Sequence, residues 1–498
     1  MASLGYAWLI EQLALRVCPL AKPAEISTSV NRRVDTPHRV FFPRGVAVED
    51  TPVGHLEFAL RHEGVKLEIV DAVFEHLSPA DLCARQEAAP NGAPIRRACF
   101  LWEWLTGQDL PITVTPAGGY VDLFPAETYV TAGTPVNNRK FRVRNNALGT
   151  PDFCPVVLRS AVPESPSLAE LLAKAQQTLE SVSDPALYER ALNFLYLSET
   201  RSSFEIEREK PSSDKQERFV QLLRRAGETP SVSEDWLVSL QNAVVRDVFS
   251  QEASYRAQQN WLEDATGRIT FFPVPVADLR RAMAGWETFV NDNGALCPDV
   301  LVKVACAAFG FVYLHPFMDG NGRLHRFLIH HVLTQTEMLS GGRIVPVSAV
   351  ILKHIPEYLE VLAGFSRPVT RLWEYVRGEM TPHITVNPGS RAYRFFDASR
   401  EVAFLYRMIH LAVEEEIPRE LAWLSGFDQA LDLLESEFDL PQKDLATLIR
   451  MAYSNHGRLS ANRRKQFSYL PVSLLDRIET VVQACFDAQE GADTRIEN

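Results

Sequence analysis

Apolar positions recur at helical spacing through most of this chain, and the places where that rhythm breaks are the informative ones. Residues 298–314 place Leu301, Val304, Ala305, Ala308, Phe311 and Val312 at intervals that predict a buried helix. Pro316 disfavours the α conformation at His315, so this helix should end there. Helical spacing resumes over 324–333, which leaves Asp319-Gly320-Asn321-Gly322 just ahead of a helix N-terminus. Upstream, 268–275 reads differently. Thr270, Phe271 and Phe272 favour a strand, and Pro273 and Pro275 stop further pairing.

The same rhythm divides the chain. Residues 1–160 mix short helical and strand patterns with many prolines and predict an α+β region. Within it, 54–77 and 97–105 read as helices, the second a core helix with Phe100, Trp102 and Trp104. Residues 137–144 carry Arg139, Lys140, Arg142 and Arg144 and read as a solvated strand or turn. Residues 6–20 are apolar but interrupted by Glu11 and Arg16, which predicts an amphipathic helix rather than a signal peptide. Residues 161–240 read as helices with a loop at 209–216, 241–365 as a helical core, and 390–498 as a further helical domain. In that last part, 444–458 and the helices after it are compatible with a helix-turn-helix. Arg458, Arg463, Arg464 and Lys465 give it a basic cluster, although a packing domain is the better expectation.

Composition narrows the classes. The chain has 498 residues, 46% hydrophobic and 23% charged, as expected of a globular protein with two to four domains. A net charge of −12 argues against broad binding to nucleic acid or an anionic membrane. The seven cysteines are scattered without a Cys-x-x-Cys pair, which fits a reducing cytoplasm and no zinc site. No apolar run is long enough to span a bilayer.

The chemistry concentrates at the break between the two central helices, residues 315–326. Glycine permits backbone angles that turn successive N–H groups toward one point, and a helix N-terminus adds partial positive charge. Arg323 and Arg326 add fixed positive charge in a fork suited to phosphate oxygens. Asp319 is a hard oxygen ligand suited to Mg²⁺ shared with phosphates, and His315 can accept a proton near neutrality. Alone, the histidine reads as structural and Gly-Asn-Gly as a turn; together they describe a phosphate-handling site.

This run resembles the signature of the Fic family, His-Pro-Phe-x-Asp/Glu-Gly-Asn-Gly-Arg-x-x-Arg, at all nine specified positions. The resemblance implies a mainly α fold: a Fic-type helical core at 241–365 with a β-hairpin flap at 268–275, an α+β amino-terminal extension and a helical carboxy-terminal domain. It implies transfer of AMP from ATP to a Ser, Thr or Tyr hydroxyl of a protein. His315 would be the base and Asp319 the Mg²⁺ ligand. Gly320, Asn321, Gly322, Arg323 and Arg326 would hold the nucleotide, and Phe317 would anchor the loop. Thr270, Phe271 and Phe272 would form the flap that docks the target by strand addition. Relatives that phosphorylate instead carry lysine near Gly322, so the glycine implies AMP transfer.

A second segment, 198–208, resembles the family's inhibitory motif Ser/Thr-x-x-x-Glu followed by Gly or Asn. The resemblance pairs Glu207 with Arg326, with Ser203 beside it. Arg208 departs from the pattern. The general look of 1–160 also resembles the extensions of larger bacterial Fic proteins. The expectation is a cytoplasmic adenylyltransferase, autoinhibited by Glu207, acting on another protein or on itself, without membrane or DNA partners and with a homodimer left open. Two alternatives remain: removal of AMP by the same site, or a nucleotide-sensing regulatory module whose tail contacts DNA.

Overall fold

The computed structural model describes residues 2–182, 184–228, 231–245, 250–336, 338–339, 342–378 and 381–493. The fold is mainly helical, with a few small sheets. Among the described residues no helix is long and apolar enough to cross a membrane.

The chain forms two compact units, and their division departs from the expected linear domains. The first takes residues 1–169, 200–342 and 351–408; the second takes 170–199, 343–350 and 409–498. The amino-terminal region therefore belongs to the same unit as the central helices. The reason is burial: Phe395 lies in the apolar core built by Leu56, Val73, Leu101 and Trp102, and Cys154 and Val156 donate backbone hydrogen bonds to the carbonyls of Arg394 and Phe396.

Within the first unit the amino-terminal strands Ala2–Leu4, Ala24–Ser27, Val40–Pro43 and Val34–Asp35 lie side by side in that order. The central pair, Ala24–Ser27 with Val40–Pro43, is parallel. The amphipathic helix is shorter than its hydrophobic pattern, spanning Gly5–Gln12. It stops because Ala14 turns left-handed, at φ 48°. The expected core helix is Ala93–Thr106, ended by Gly107 at φ 69°. The basic stretch at 137–144 forms parts of two antiparallel strands, Val136–Asn138 and Val143–Asn145.

The heart of this unit is the pair of helices Val300–Leu314 and Asn321–Gln335. Nearly every side chain of Val300–Leu314 is buried, which explains a sequence that is apolar but for Lys303, whose ammonium donates to the Asp292 carbonyl. Helix Val276–Asn291 packs against it, and Trp286 donates its indole N–H to the carbonyl of Ala307 at 2.8 Å. The helix Pro185–Ile206 ends in this unit.

The second unit has its own core, where Phe427, Leu434, Leu448, Ile449, Leu475 and Ile478 come together from the helices Ile417–Glu437, Gln442–Tyr453 and Val472–Asp493. The helix that would complete a helix-turn-helix is only Ala461–Gln466. Arg464 of its basic cluster is paired with Asp476 and Glu479.

Candidate active site

The loop between the two central helices is fixed mainly by its own backbone. Helix Val300–Leu314 ends on His315, which takes a left-handed conformation at φ 54° and ψ 61°. A proline follows, so the helix cannot continue, and a β-unbranched residue is what tolerates the turn. Gly320, at φ 91°, makes the second left-handed turn and starts helix Asn321–Gln335. Phe317 between them is fully buried against Tyr255 and Phe311, while Met318 is exposed.

Asn321 braces the loop from within. Its side chain is buried, accepts from the Phe317 N–H at 3.1 Å and donates to the Phe317 carbonyl at 2.8 Å. Each end of the amide thus makes one bond that holds the loop, and its second N–H is left for another acceptor. Asn260 donates to the same Phe317 carbonyl at 3.2 Å.

His315 is buried, and its Nδ1 lies 3.2 Å from the Val312 carbonyl. That contact suits a protonated Nδ1 and leaves Nε2 as the proton acceptor. Burial pushes the imidazole down to about 4; the Val312 carbonyl opposes this, and the Arg256 charge adds to it. The ring is therefore neutral at pH 7, the form a general base requires.

Asp319 sits at the loop's edge with about half its side chain exposed. Its Oδ1 accepts from the Gly320 N–H at 2.6 Å and from Arg323 at 3.0 Å. Among the described residues no three His, Cys, Asp or Glu side chains converge to cage a metal. A lone, partly exposed carboxylate suits Mg²⁺ bound chiefly through substrate phosphates.

The two arginines are almost wholly buried. Arg326 donates to the Ser203 hydroxyl at 2.9 Å, to the Ser203 carbonyl at 2.6 Å and to Glu207 at 2.8 Å. Ser203 and Glu207 thus meet the arginine that the motif pairs with them. Glu207 also lies directly over the loop: a Cβ on Gly322 would stand 2.1 Å from its Oε1. Burial works to raise the Glu207 pKa, but Arg326, Arg323 and His315 outweigh it and hold the carboxyl below its ordinary range.

Sequence reasoning missed a second carboxylate. Glu209 pairs with Arg323 at 2.5 Å, and the same arginine donates to the Val244 carbonyl at 2.8 Å. Two polar residues spaced two apart in a charged run give no warning of this; the chain's turn at Arg208 creates it. Arg208 is left-handed at φ 57°. Its N–H bonds to Glu205 and that of Glu209 to Phe204, the paired bonds of a Schellman cap. The residue occupies a conformation that favours glycine or asparagine, and the cap still forms. Among the described residues, buried Arg326 Nη1 and Arg323 Nε meet no hydrogen-bond partner, so both forks retain donor capacity.

The flap exists as a strand pair, Leu262–Glu263 with Ile269–Phe271. Its phenylalanines do not face outward, because they anchor it. Phe271 is buried with its ring 6.5 Å from that of His315, and Phe272 stacks on Trp373 at 4.8 Å. Only Thr270 of the three is exposed, and its carbonyl accepts from Thr370 at 3.3 Å. Gln259 donates to Pro273 and accepts from Val276, bracing the flap's far end.

Comparison with known proteins adds a family. Residues 231–333 match the model of the Fic/DOC family. Among solved structures, the chain is similar to a Fic domain containing signaling protein from Bacteroides thetaiotaomicron, at 17% identity over 51% of this chain and 95% of that one, with a TM-score of 0.36. It is also similar to a Fic family protein from Desulfovibrio desulfuricans, at 17% identity over 62% and 86%, with a TM-score of 0.36.

Proposed function

We propose that this chain, whose residues 231–333 match the Fic/DOC family, transfers AMP from ATP to a Ser, Thr or Tyr hydroxyl of a target protein and is restrained by its own Glu207. Fic domains generally transfer a nucleoside monophosphate to proteins, and the finer reading rests on this site. One observation carries it. The Glu207 carboxylate is seated on Gly322 and Arg326, where the loop, the helix N-terminus and the arginine fork would receive a phosphate.

In the uninhibited site, His315 Nε2 takes the proton of the target hydroxyl. The oxygen attacks the α-phosphorus, a new P–O ester forms, the bond to the bridging oxygen breaks, and pyrophosphate leaves. Backbone N–H groups at the start of helix Asn321–Gln335, with Arg323 and Arg326, bind the phosphates and offset their charge. Mg²⁺, held by Asp319 and the phosphates, would add to that neutralisation. The exposed face of the flap at Thr270 presents the target segment. In the restrained site Glu207 holds Arg326 and Glu209 holds Arg323, so incoming phosphates compete with two carboxylates.

The test uses ATP labelled at the α- or the γ-phosphate, incubated with cell extract and Glu207→Gly protein. The reading requires protein labelling from the α-position alone, and its disappearance in Glu207→Gly/His315→Ala. Label from the γ-position would identify a kinase, and no label from either would move weight to AMP removal.

A further inference from the structure

Arg256 is almost fully buried, yet among the described residues its guanidinium meets carbonyl oxygens rather than a carboxylate. Its Nε donates to the His315 carbonyl at 2.9 Å, its Nη1 to that of Gln258 at 3.1 Å, and its Nη2 to that of Val274. Its own backbone N–H donates to the carbonyl of Pro316 at 2.8 Å. Two of these carbonyls belong to the turn that carries the base, and Val274 follows the flap strand Ile269–Phe271. A buried charge without a counter-ion is costly unless dipoles satisfy it. Here the dipoles are those of the two segments that must meet in the reaction.

We infer that Arg256 is a positioning residue: one planar fork fixes both the left-handed backbone of His315 and the end of the flap, and so sets the distance between the base and the target hydroxyl. The inference rests on the transfer reading above. The fork matters more than the charge. Its nitrogens point in fixed and different directions, whereas a lysine ammonium is a single point at the end of a flexible stem. The phosphate-binding groups, at Gly322, Arg323 and Arg326, receive no hydrogen bond from Arg256. Positioning should therefore be separable from nucleotide binding.

The experiment compares Arg256→Lys and Arg256→Met in the Glu207→Gly protein. The expected result is a fall in kcat of about 10- to 100-fold for Arg256→Met, an intermediate value for Arg256→Lys, and a KM for ATP within about threefold of the parent. A second readout needs no turnover. The groups acting on the His315 ring are Arg256, Glu207, Asp319 and the Val312 carbonyl, with the Phe271 ring at its edge. Removing the Arg256 charge should move the His315 titration, read by NMR, to higher pH in the Met variant than in the Lys variant. An unchanged kcat overturns the inference, as does a joint loss of kcat, ATP affinity and melting temperature in both variants. Should the Met variant not fold, the kcat and KM of the Lys variant decide. If Glu207→Gly protein transfers nothing, the function reading fails, and an unmoved His315 titration would then overturn this inference separately.

Discussion

The loop 315–326 and the helix end 203–209 touch each other but are held in different ways. The loop is fixed mainly through its backbone and core: Phe317 in an apolar pocket, Asn321 bonded to the Phe317 backbone, carbonyls clasped from behind by the buried Arg256 guanidinium. The helix end is held by carboxylates on two buried arginines, with Glu207 partly exposed, and its final turn strains a non-glycine residue at Arg208. Apolar packing and backbone bonds persist whatever ligand is present. Carboxylate–arginine pairs can be exchanged for phosphate–arginine pairs of similar geometry. The difference separates a part built to stay from a part built to be displaced.

Removing the base should give the largest effect. His315→Ala in the Glu207→Gly background is expected to lower the transfer rate by about 10²–10⁴-fold while ATP still binds; unaltered transfer would show that another group takes the proton. Next, Asn321→Ala strands the buried N–H of Phe317 and leaves its carbonyl only the Asn260 donor. A loss of about 1–3 kcal/mol of stability is expected in denaturant unfolding. No loss would mean that the loop is not self-supporting.

Smaller effects sharpen the contrast. Glu209→Ala should raise wild-type transfer less than Glu207→Gly does, because Arg323 keeps its bonds to Val244 and Asp319. Rates of the two single variants and the double variant measure whether the carboxylates act together. Arg208→Gly relieves a left-handed conformation and should stabilise the helix end by about 1 kcal/mol, lowering residual transfer. Higher residual transfer would mean that the arginine itself supports the restraint.

Acidity weakens both parts, in different pH windows. The folded pKa of His315 is lowered, to about 4 from 6.5. The unfolded chain therefore binds more protons between those values, and stability falls as pH drops through that window. Glu207 is also lowered, so its stabilising pair is complete above the ordinary carboxylate range and is lost only as pH falls through the folded value. Melting curves from pH 7 to pH 5 should show the first effect, and transfer assays over the same range should show no release of the restraint.

The chemistry of the loop was legible in the sequence because its residues are contiguous and each type suits a phosphate. The helix break at His315 followed from Pro316, and the Glu207–Arg326 pair from the resemblance of 198–208 to the inhibitory motif. What stayed hidden depends on distant backbone. Arg256 lies 59 positions before His315 and bonds to carbonyls, which every residue has. Glu209 reaches Arg323 only through the turn at Arg208. Phe271 and Phe272 read correctly as strand, but periodicity could not say that both would be buried, one beside His315 and one against Trp373. The joining of 1–169 to the central helices depends on pairings such as Cys154 with Arg394, which leave no local trace.

The central claim is that the Glu207 carboxylate occupies the place of a nucleotide phosphate. The most direct measurement is the initial rate of α-label transfer to protein by wild type and Glu207→Gly at equal ATP and Mg²⁺. The account predicts a rate at least about tenfold higher in the variant, a difference of about 1.4 kcal/mol or more. Equal rates, with both proteins folded and transferring label, would contradict it.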